Sequence, residues 1–305
     1  MTTAIDLFAG GGGFTEGAQA AGVKVLWAAN HWPMAVAVHA HNHPGVAHAC
    51  QDLQQANFFD CPDHDITLAS PACQGHSLAR GKDQPHHDAV RSTAWAVVSA
   101  AEAKRAPVLV VENVPEFLTW ELYPVWRLAL ERLGYAISEN VVDSANYGVP
   151  QHRVRAFVVA TRSKAPFQLR NPRRAHDPIG NHIEWDFPKW SPINKPGRSQ
   201  ATLDRIASGR AAYGDRFVAP YYGSGSGQTG RSLDRPIGTV TTRDRWLLVD
   251  GDNMRMLNVA EYKAAMGFRS SFQLPVARKW AIHLLGNAVC PPVVTEILRQ
   301  VRAAA

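Results

Sequence analysis

A chain of 305 residues, 46% hydrophobic and 19% charged, is long and apolar enough to bury one large core and a smaller second one, and is neither disordered nor fibrous. No apolar run reaches the roughly 18 uninterrupted residues of a membrane helix, and Met1-Thr2-Thr3-Ala4-Ile5-Asp6 has no basic region ahead of a long apolar one, so a cytoplasmic protein without a membrane partner is expected. The net charge of +6 favours a polyanionic partner without establishing one.

In chain order, residues 3–8 read as a buried strand, 14–21 as a helix ended by Gly22, and 23–28 as a second strand, which together make a βαβ unit. A helix opens at Pro33, a strand follows at 65–69, a long helix at 89–104 and a strand at 108–111. A further helix over 122–133 stops at Gly134, and strands are expected at 136–143 and 155–160. This alternation predicts an α/β fold, a doubly wound, mostly parallel Rossmann-like sheet.

The texture changes near Arg162. Proline, glycine and arginine become dense (Pro166, Pro172, Pro178, Pro188, Pro192, Pro196), and helical periodicity is lost apart from 202–207. It returns at 259–266, closed by Gly267, and again at 292–301. The expected organisation is a main domain built from 1–167 and 251–305, with a smaller, irregular domain over 168–250.

Cys50, Cys61, Cys73 and Cys290 stand far apart with no Cys-x-x-Cys pair, which argues against a disulfide framework and against a closed zinc site. Among 13 histidines, His39, His41 and His43 alternate and His86 and His87 are adjacent. No acid or cysteine stands at ligand spacing from them, so no metal is expected and these histidines are read as solvated.

Chemistry begins at Asp6-Leu7-Phe8-Ala9-Gly10-Gly11-Gly12-Gly13-Phe14, a glycine-rich turn from strand to helix, where bare backbone and free helix amides can approach a ligand. The dinucleotide fingerprint needs a third glycine five residues after the first, and Thr15 and Glu16 occupy those places. Ala29-Asn30-His31-Trp32 lacks the acid that would hold an NAD ribose, whereas Trp32 offers a flat apolar surface to an adenine-like ring. A nucleoside-type cofactor fits better than NAD. Ligand crevices of open α/β sheets lie outside the carboxyl ends of the strands, so the glycine loop, the Ala69-Ser70-Pro71-Ala72-Cys73-Gln74 segment and Glu112 should converge on one crevice.

Asp6 to Gly13, Cys73-Gln74, Glu112-Asn113-Val114, Gln151-His152-Arg153-Val154-Arg155, Arg235-Pro236-Ile237-Gly238-Thr239-Val240-Thr241 and Gly286-Asn287-Ala288-Val289 occur in one order at family-like spacing. On these six segments, spread over nearly the whole chain, the sequence resembles the DNA (cytosine-5) methyltransferases, which use S-adenosylmethionine.

The resemblance implies that Cys73 is the nucleophile toward C6 of cytosine, that Glu112 serves N3, and that Arg155 contacts the flipped base with Arg153 shaping the site and lowering the thiol pKa. For the cofactor it implies Phe8, Ala9, Gly10 and Gly12 of the loop, Trp32 as stacking surface, His31 at the ribose, Asp52 and Leu53 near the adenine, and Asn287 with Val289 as the distal wall. Expected target contacts are Gln74 and Ser77 on a closing loop, Gln151 (which also orders its own loop), Tyr221, Tyr222 and Arg243, in duplex DNA whose target base is swung out. The resemblance also admits a companion restriction endonuclease, for which the chain carries no signature, and the expected state is a monomer.

Two positions depart from the family pattern. Ala72 precedes Cys73 where a proline is usual, the proline standing one step earlier at Pro71, and His31 replaces the usual ribose-binding glutamate, which predicts weaker or pH-sensitive cofactor binding. The rival readings are a transfer-RNA cytosine-5 methyltransferase and a catalytically silent nucleic-acid-binding module. The basic insert between Arg155 and Arg235 leans toward duplex DNA, with its arginines and lysines suited to phosphates, and the presence of Cys73 and Glu112 speaks against silence.

Overall fold

The computed structural model describes residues 1–72, 92–221 and 230–304. Cys73, Gln74, Ser77, His86, His87 and Tyr222 lie outside the described residues.

Strands β1 (Thr3–Leu7), β2 (Lys24–Asn30), β3 (Ala47–Cys50), β4 (Ile66–Ala69), β5 (Val108–Asn113), β6 (Ala136–Asp143) and β7 (Val154–Thr161) form one sheet in the order β3-β2-β1-β4-β5-β7-β6. The first five are parallel, and β7 runs antiparallel between β5 and β6. Strand order reverses between β1 and β4, the switch point where α/β sheets open a ligand crevice.

Apolar runs without alternation build β1, β4, β5 and β7 because both faces are covered, whereas the edge strands β3 and β6 stay partly exposed. Leu109 and Val111 join Ile5 and Leu7 in one core with Trp126 and Phe117, whereas Val108 and Val110 join Ala4 and Leu68 in a second core on the opposite face. Helices α1 (Gly13–Ala20), α2 (Pro33–Asn42), α3 (Trp95–Lys104) and α4 (Tyr123–Arg132) connect the strands. The long helix expected from residue 89 is helical from Trp95, preceded by a 3-10 turn at Ser92–Ala94, with 89–91 outside the described residues.

The region expected to be irregular contains a four-stranded antiparallel sheet. Its strands β8 (Ser191–Pro192), β9 (Arg216–Pro220), β10 (Trp246–Asp250) and β11 (Asn253–Met256) lie in the order β8-β11-β10-β9. Strands of two to five residues interrupted by proline and glycine leave little periodicity to read, but Asp250-Gly251 between two apolar runs is a hairpin signal, and Gly251 has φ +53° there. Helix α5 (Gln200–Tyr213), longer than the expected 202–207, adds Ile206 to a small core with Phe217, Leu247 and Met254. β11, just past residue 250, pairs with β10 and β8 in this sheet. Its other face, through Val218, Trp246 and Leu248, merges with the large core.

Helices α6 (Val259–Ala265), α7 (Arg278–Asn287) and α8 (Pro291–Ala304) complete the main body; α7 lies outside the stretches with clear helical periodicity. Val293, Val294, Ile297, Leu298 and Val301 put one face of α8 into the core, each burial contributing about 1.5–3 kcal/mol. The apolar stretch Arg278–Ala304 is long enough to cross a membrane, but it is broken at 288–290 and its most apolar window is 72% buried in the fold, as a core element is.

Candidate active site

Three strand ends meet at the crevice. β1 ends at Leu7, and Phe8 turns the chain with φ +60°, a left-handed conformation rare outside glycine, before Gly10 at φ +52°. Ser70, just after β4, donates from Oγ to the Phe8 carbonyl at 3.2 Å and from its backbone amide to the Leu7 carbonyl at 3.1 Å. Asn113, ending β5, donates from Nδ2 to the Pro71 carbonyl at 3.2 Å, while its Oδ1 accepts from the Val114 amide. The glycine loop, the segment leading to Cys73 and the Glu112 strand end are thereby zipped together. Ser70 and Asn113 received no role from the sequence, although each adjoins a residue that did.

A cavity of about 230 Å³ opens there. Phe8, Gly10 and Ser70 to Ala72 line one side; Asn30, His31, Trp32 and Ala35 the second; Glu112, Arg153 and Arg155 the third; and His283, Leu284, Gly286 and Asn287 the fourth. Because β7 runs antiparallel to β5, Arg155 reaches the same end of the sheet as Glu112, and its Nε stands 3.2 Å from Glu112 Oε1. Glu112 is only 7% exposed. Burial raises its carboxyl above the usual range, with Arg155 and then Arg153 pulling the other way.

Arg153 is 3% exposed and directs its guanidinium at backbone, to the Val240 carbonyl at 3.1 Å and the Gly286 and Ala288 carbonyls at 3.0 Å each. Gly286 lies so close to this segment that a Cβ there would run into the Thr241 backbone. A Cβ on Gly13 would likewise strike the Val289 carbonyl, so the glycine loop and the Gly286-to-Val289 turn are in direct contact.

Other expected site residues stand outside the cavity wall. Val289 and Leu53 are core residues at 3% and 2% exposure, Ala9 is buried with its amide on the Ala29 carbonyl, and Gly12 faces His39 and His43. Asp52 Oδ1 accepts from the Gln54 amide. They shape the loops behind the cavity. Gln151, expected at the DNA, is instead fully buried: its Oε1 accepts from the Val240 amide at 2.6 Å and its Nε2 donates to the Ala265 carbonyl at 3.0 Å. A side chain spent on both sides in this way orders its loop and cannot reach a groove. Arg243 is exposed; Tyr221 is half-buried, with its backbone amide on the Arg245 carbonyl.

The solvated reading of the alternating histidines holds for His41 and is corrected for two others. His39 and His43 are 0% and 2% exposed, because α2 turns them toward α1. Thr15 Oγ1 donates to Asp6 Oδ2 at 2.8 Å and so accepts from His39 Nε2 at 3.0 Å, which leaves His39 Nδ1 to accept from His48 Nε2 at 2.8 Å. Burial pushes His39 down to about 2, His43 down to about 4 and Asp6 up to about 7.

A family model for C-5 cytosine-specific DNA methylases matches residues 2–303. The chain belongs to that family. It is 28% identical over 314 residues to Type II methyltransferase M.MspI of Moraxella, covering 98% of this chain and 70% of that protein, and 27% identical to M.NlaX of Neisseria lactamica, covering 100% and 97%. A crystal structure of a Spodoptera frugiperda DNMT2 variant shares the fold, with a TM-score of 0.73, 16% identity and coverage of 99% and 100%. The protein is accordingly a DNA (cytosine-5) methyltransferase, related to methyltransferases of type II restriction–modification.

A methyltransferase of this kind calls for S-adenosylmethionine, and the cavity residues fit it. Phe8 and Trp32 supply ring surfaces for an adenine, Gly10 exposes backbone where a side chain would be strained, and the Asn287 amide, exposed at the opposite wall, can meet a charged amino-acid group.

Proposed function

We propose that this methyltransferase methylates C5 of a cytosine in a specific duplex DNA sequence, on a base swung out of the helix and through a covalent Cys73–C6 adduct. The observation that carries the reading is the buried Glu112–Arg155 pair on the wall of a cavity whose rim, Pro71 and Ala72, leads directly into Cys73.

The Cys73 thiolate adds to C6, and the displaced electron pair makes C5 nucleophilic while loading negative charge toward N3. Glu112, inclined by burial to hold its proton, donates to N3 and absorbs that charge. Arg155, held by Glu112 at Nε and by the Val154 carbonyl at Nη1, turns its Nη2 donors to the base. S-adenosylmethionine, when bound, supplies the methyl group to C5. Loss of the C5 proton to a base then expels the Cys73 thiolate and restores the C5–C6 double bond, and N3 returns its proton to Glu112.

Arg153 holds the Val240 and Gly286 segments together and lends positive charge to the third wall, while Phe8, Trp32 and Asn287 hold the cofactor. The basic composition of residues 168–250 supports their assignment to target recognition, with Tyr221, Tyr222 and Arg243 toward the groove and Gln74 and Ser77 on the loop after Cys73. Incubation with S-adenosylmethionine labelled in the methyl group and a duplex DNA pool, followed by nucleoside separation, should place the label in 5-methylcytosine. Label in RNA only, or in no nucleic acid, would overturn the reading.

A further inference from the structure

His283 occupies a place in the cavity wall that no sequence motif marked. It lies on α7, four residues before Asn287 and three after Trp280, so one turn of helix presents all three to the same neighbourhood. Its ring stands edge-on to Trp32 with centroids 5.4 Å apart, and Trp280 braces the same indole at 5.6 Å. Its Nε2 lies 3.2 Å from Asn287 Nδ2. An amide nitrogen only donates, so His283 Nε2 accepts there, and Oδ1 is the carboxamide's acceptor.

We infer that His283 is a positioning residue that links the two ends of the cofactor site, fixing the Trp32 ring for the adenine and orienting the Asn287 carboxamide toward the ammonium of the amino-acid end. The inference rests on the proposed use of S-adenosylmethionine. It also answers the departure at His31: that exposed side chain stands where the family carries a ribose-binding glutamate, and α7 provides a second hold on the cofactor from the opposite wall.

The arrangement needs a neutral imidazole. Burial and the nearby Lys279 on the same helix lower the His283 pKa, which favours the neutral ring, and the Asn287 Nδ2 donor selects the tautomer with Nε2 as acceptor. Trp32, packed against it from the end of β2, and Trp280 and Asn287 on α7 itself carry no charge; His31, Glu112, Arg153 and Arg155 line the same cavity.

The test is calorimetric binding of two ligands to the whole protein at pH 7.5, S-adenosylmethionine and 5′-methylthioadenosine, which lacks the amino-acid end. His283→Ala should weaken S-adenosylmethionine by about three- to tenfold, the worth of one hydrogen bond, and should weaken methylthioadenosine less. In an Asn287→Ala background the same substitution should cost S-adenosylmethionine no more than it costs methylthioadenosine. His283→Gln, which can still accept from Asn287, should recover part of the loss. Equal losses for the two ligands in the native background, or none, would overturn the inference while leaving the proposed function standing. A native protein that binds neither ligand would instead defeat the reading on which the inference rests.

Discussion

Arg155 Nε lies 3.2 Å from Glu112 Oε1 across the antiparallel seam between β5 and β7, in a site where the carboxylate is 7% exposed. Burial raises the Glu112 pKa and Arg155 opposes that rise, so the arginine tunes the acid. Activity that depends on protonated Glu112 falls as pH rises through its pKa. Removing Arg155 relieves the opposing pull and moves that limb to higher pH. Arg155→Ala should therefore lower kcat/KM while shifting the alkaline limb upward, and Glu112→Gln should lower kcat by about 10²–10⁴-fold. A pH–rate series on the three proteins checks both.

Asn113 ties the Glu112 strand end to Pro71, two residues before Cys73. Asn113→Ala leaves the Pro71 carbonyl without this donor and frees the segment ahead of the nucleophile. The expected result is about a tenfold loss of kcat, as small misplacements of a reacting group give, with S-adenosylmethionine affinity unchanged. Single-turnover kinetics beside calorimetry separates the two.

Arg153→Gln should act on stability as well as rate. It strips charged donors from the carbonyls of Val240, Gly286 and Ala288, which then stay buried with poorer partners. A loss of roughly 3 kcal/mol is expected for breaking such a buried charged group's bonds, together with weaker cofactor binding because Gly286 and Asn287 shift. Urea denaturation measures the first and calorimetry the second.

The histidine cluster behind the glycine loop makes the fold sensitive to acid. His39 at about 2 and His43 at about 4 lie below the ordinary 6.5, so below pH 6.5 the unfolded chain takes up protons that the folded chain refuses, and stability falls with acidification. Asp6, raised to about 7 from 3.8, has the opposite sign: its contribution is full in acid and is lost as pH rises through 7. From pH 7.5 to pH 5 the two histidines lower stability and Asp6 offsets that loss. Asp6→Asn should steepen the acid loss and His39→Gln should flatten it. Urea midpoints across this pH range give the answer.

The main sheet was legible because strands buried on both faces write unbroken apolar runs, as in Val108 to Val111, and because Gly22, Gly134 and Gly267 punctuate the helices. The second sheet was not, since strands such as Ser191–Pro192 are too short for a period and owe their existence to pairing with β11. In the site, residue types at strand ends pointed to Trp32 and Glu112, and the family resemblance to Phe8, Arg155 and Asn287; all five line the cavity. What sequence cannot carry is the direction of a side chain. Gln151 is turned inward onto Val240 and Ala265, Arg153 onto three carbonyls, and His39 and His43 onto α1, each for a partner distant in the chain.

The central claim, covalent catalysis by Cys73 on cytosine in DNA, is tested most directly by trapping on duplex DNA containing 5-fluorocytosine in the presence of S-adenosylmethionine. Fluorine at C5 cannot leave as a proton does, so elimination of the thiolate is blocked after methyl transfer. A band of reduced mobility on a denaturing gel, formed by the native protein and absent with Cys73→Ser, is the predicted result. A band that persists in Cys73→Ser, or native protein that forms none on DNA, would contradict it.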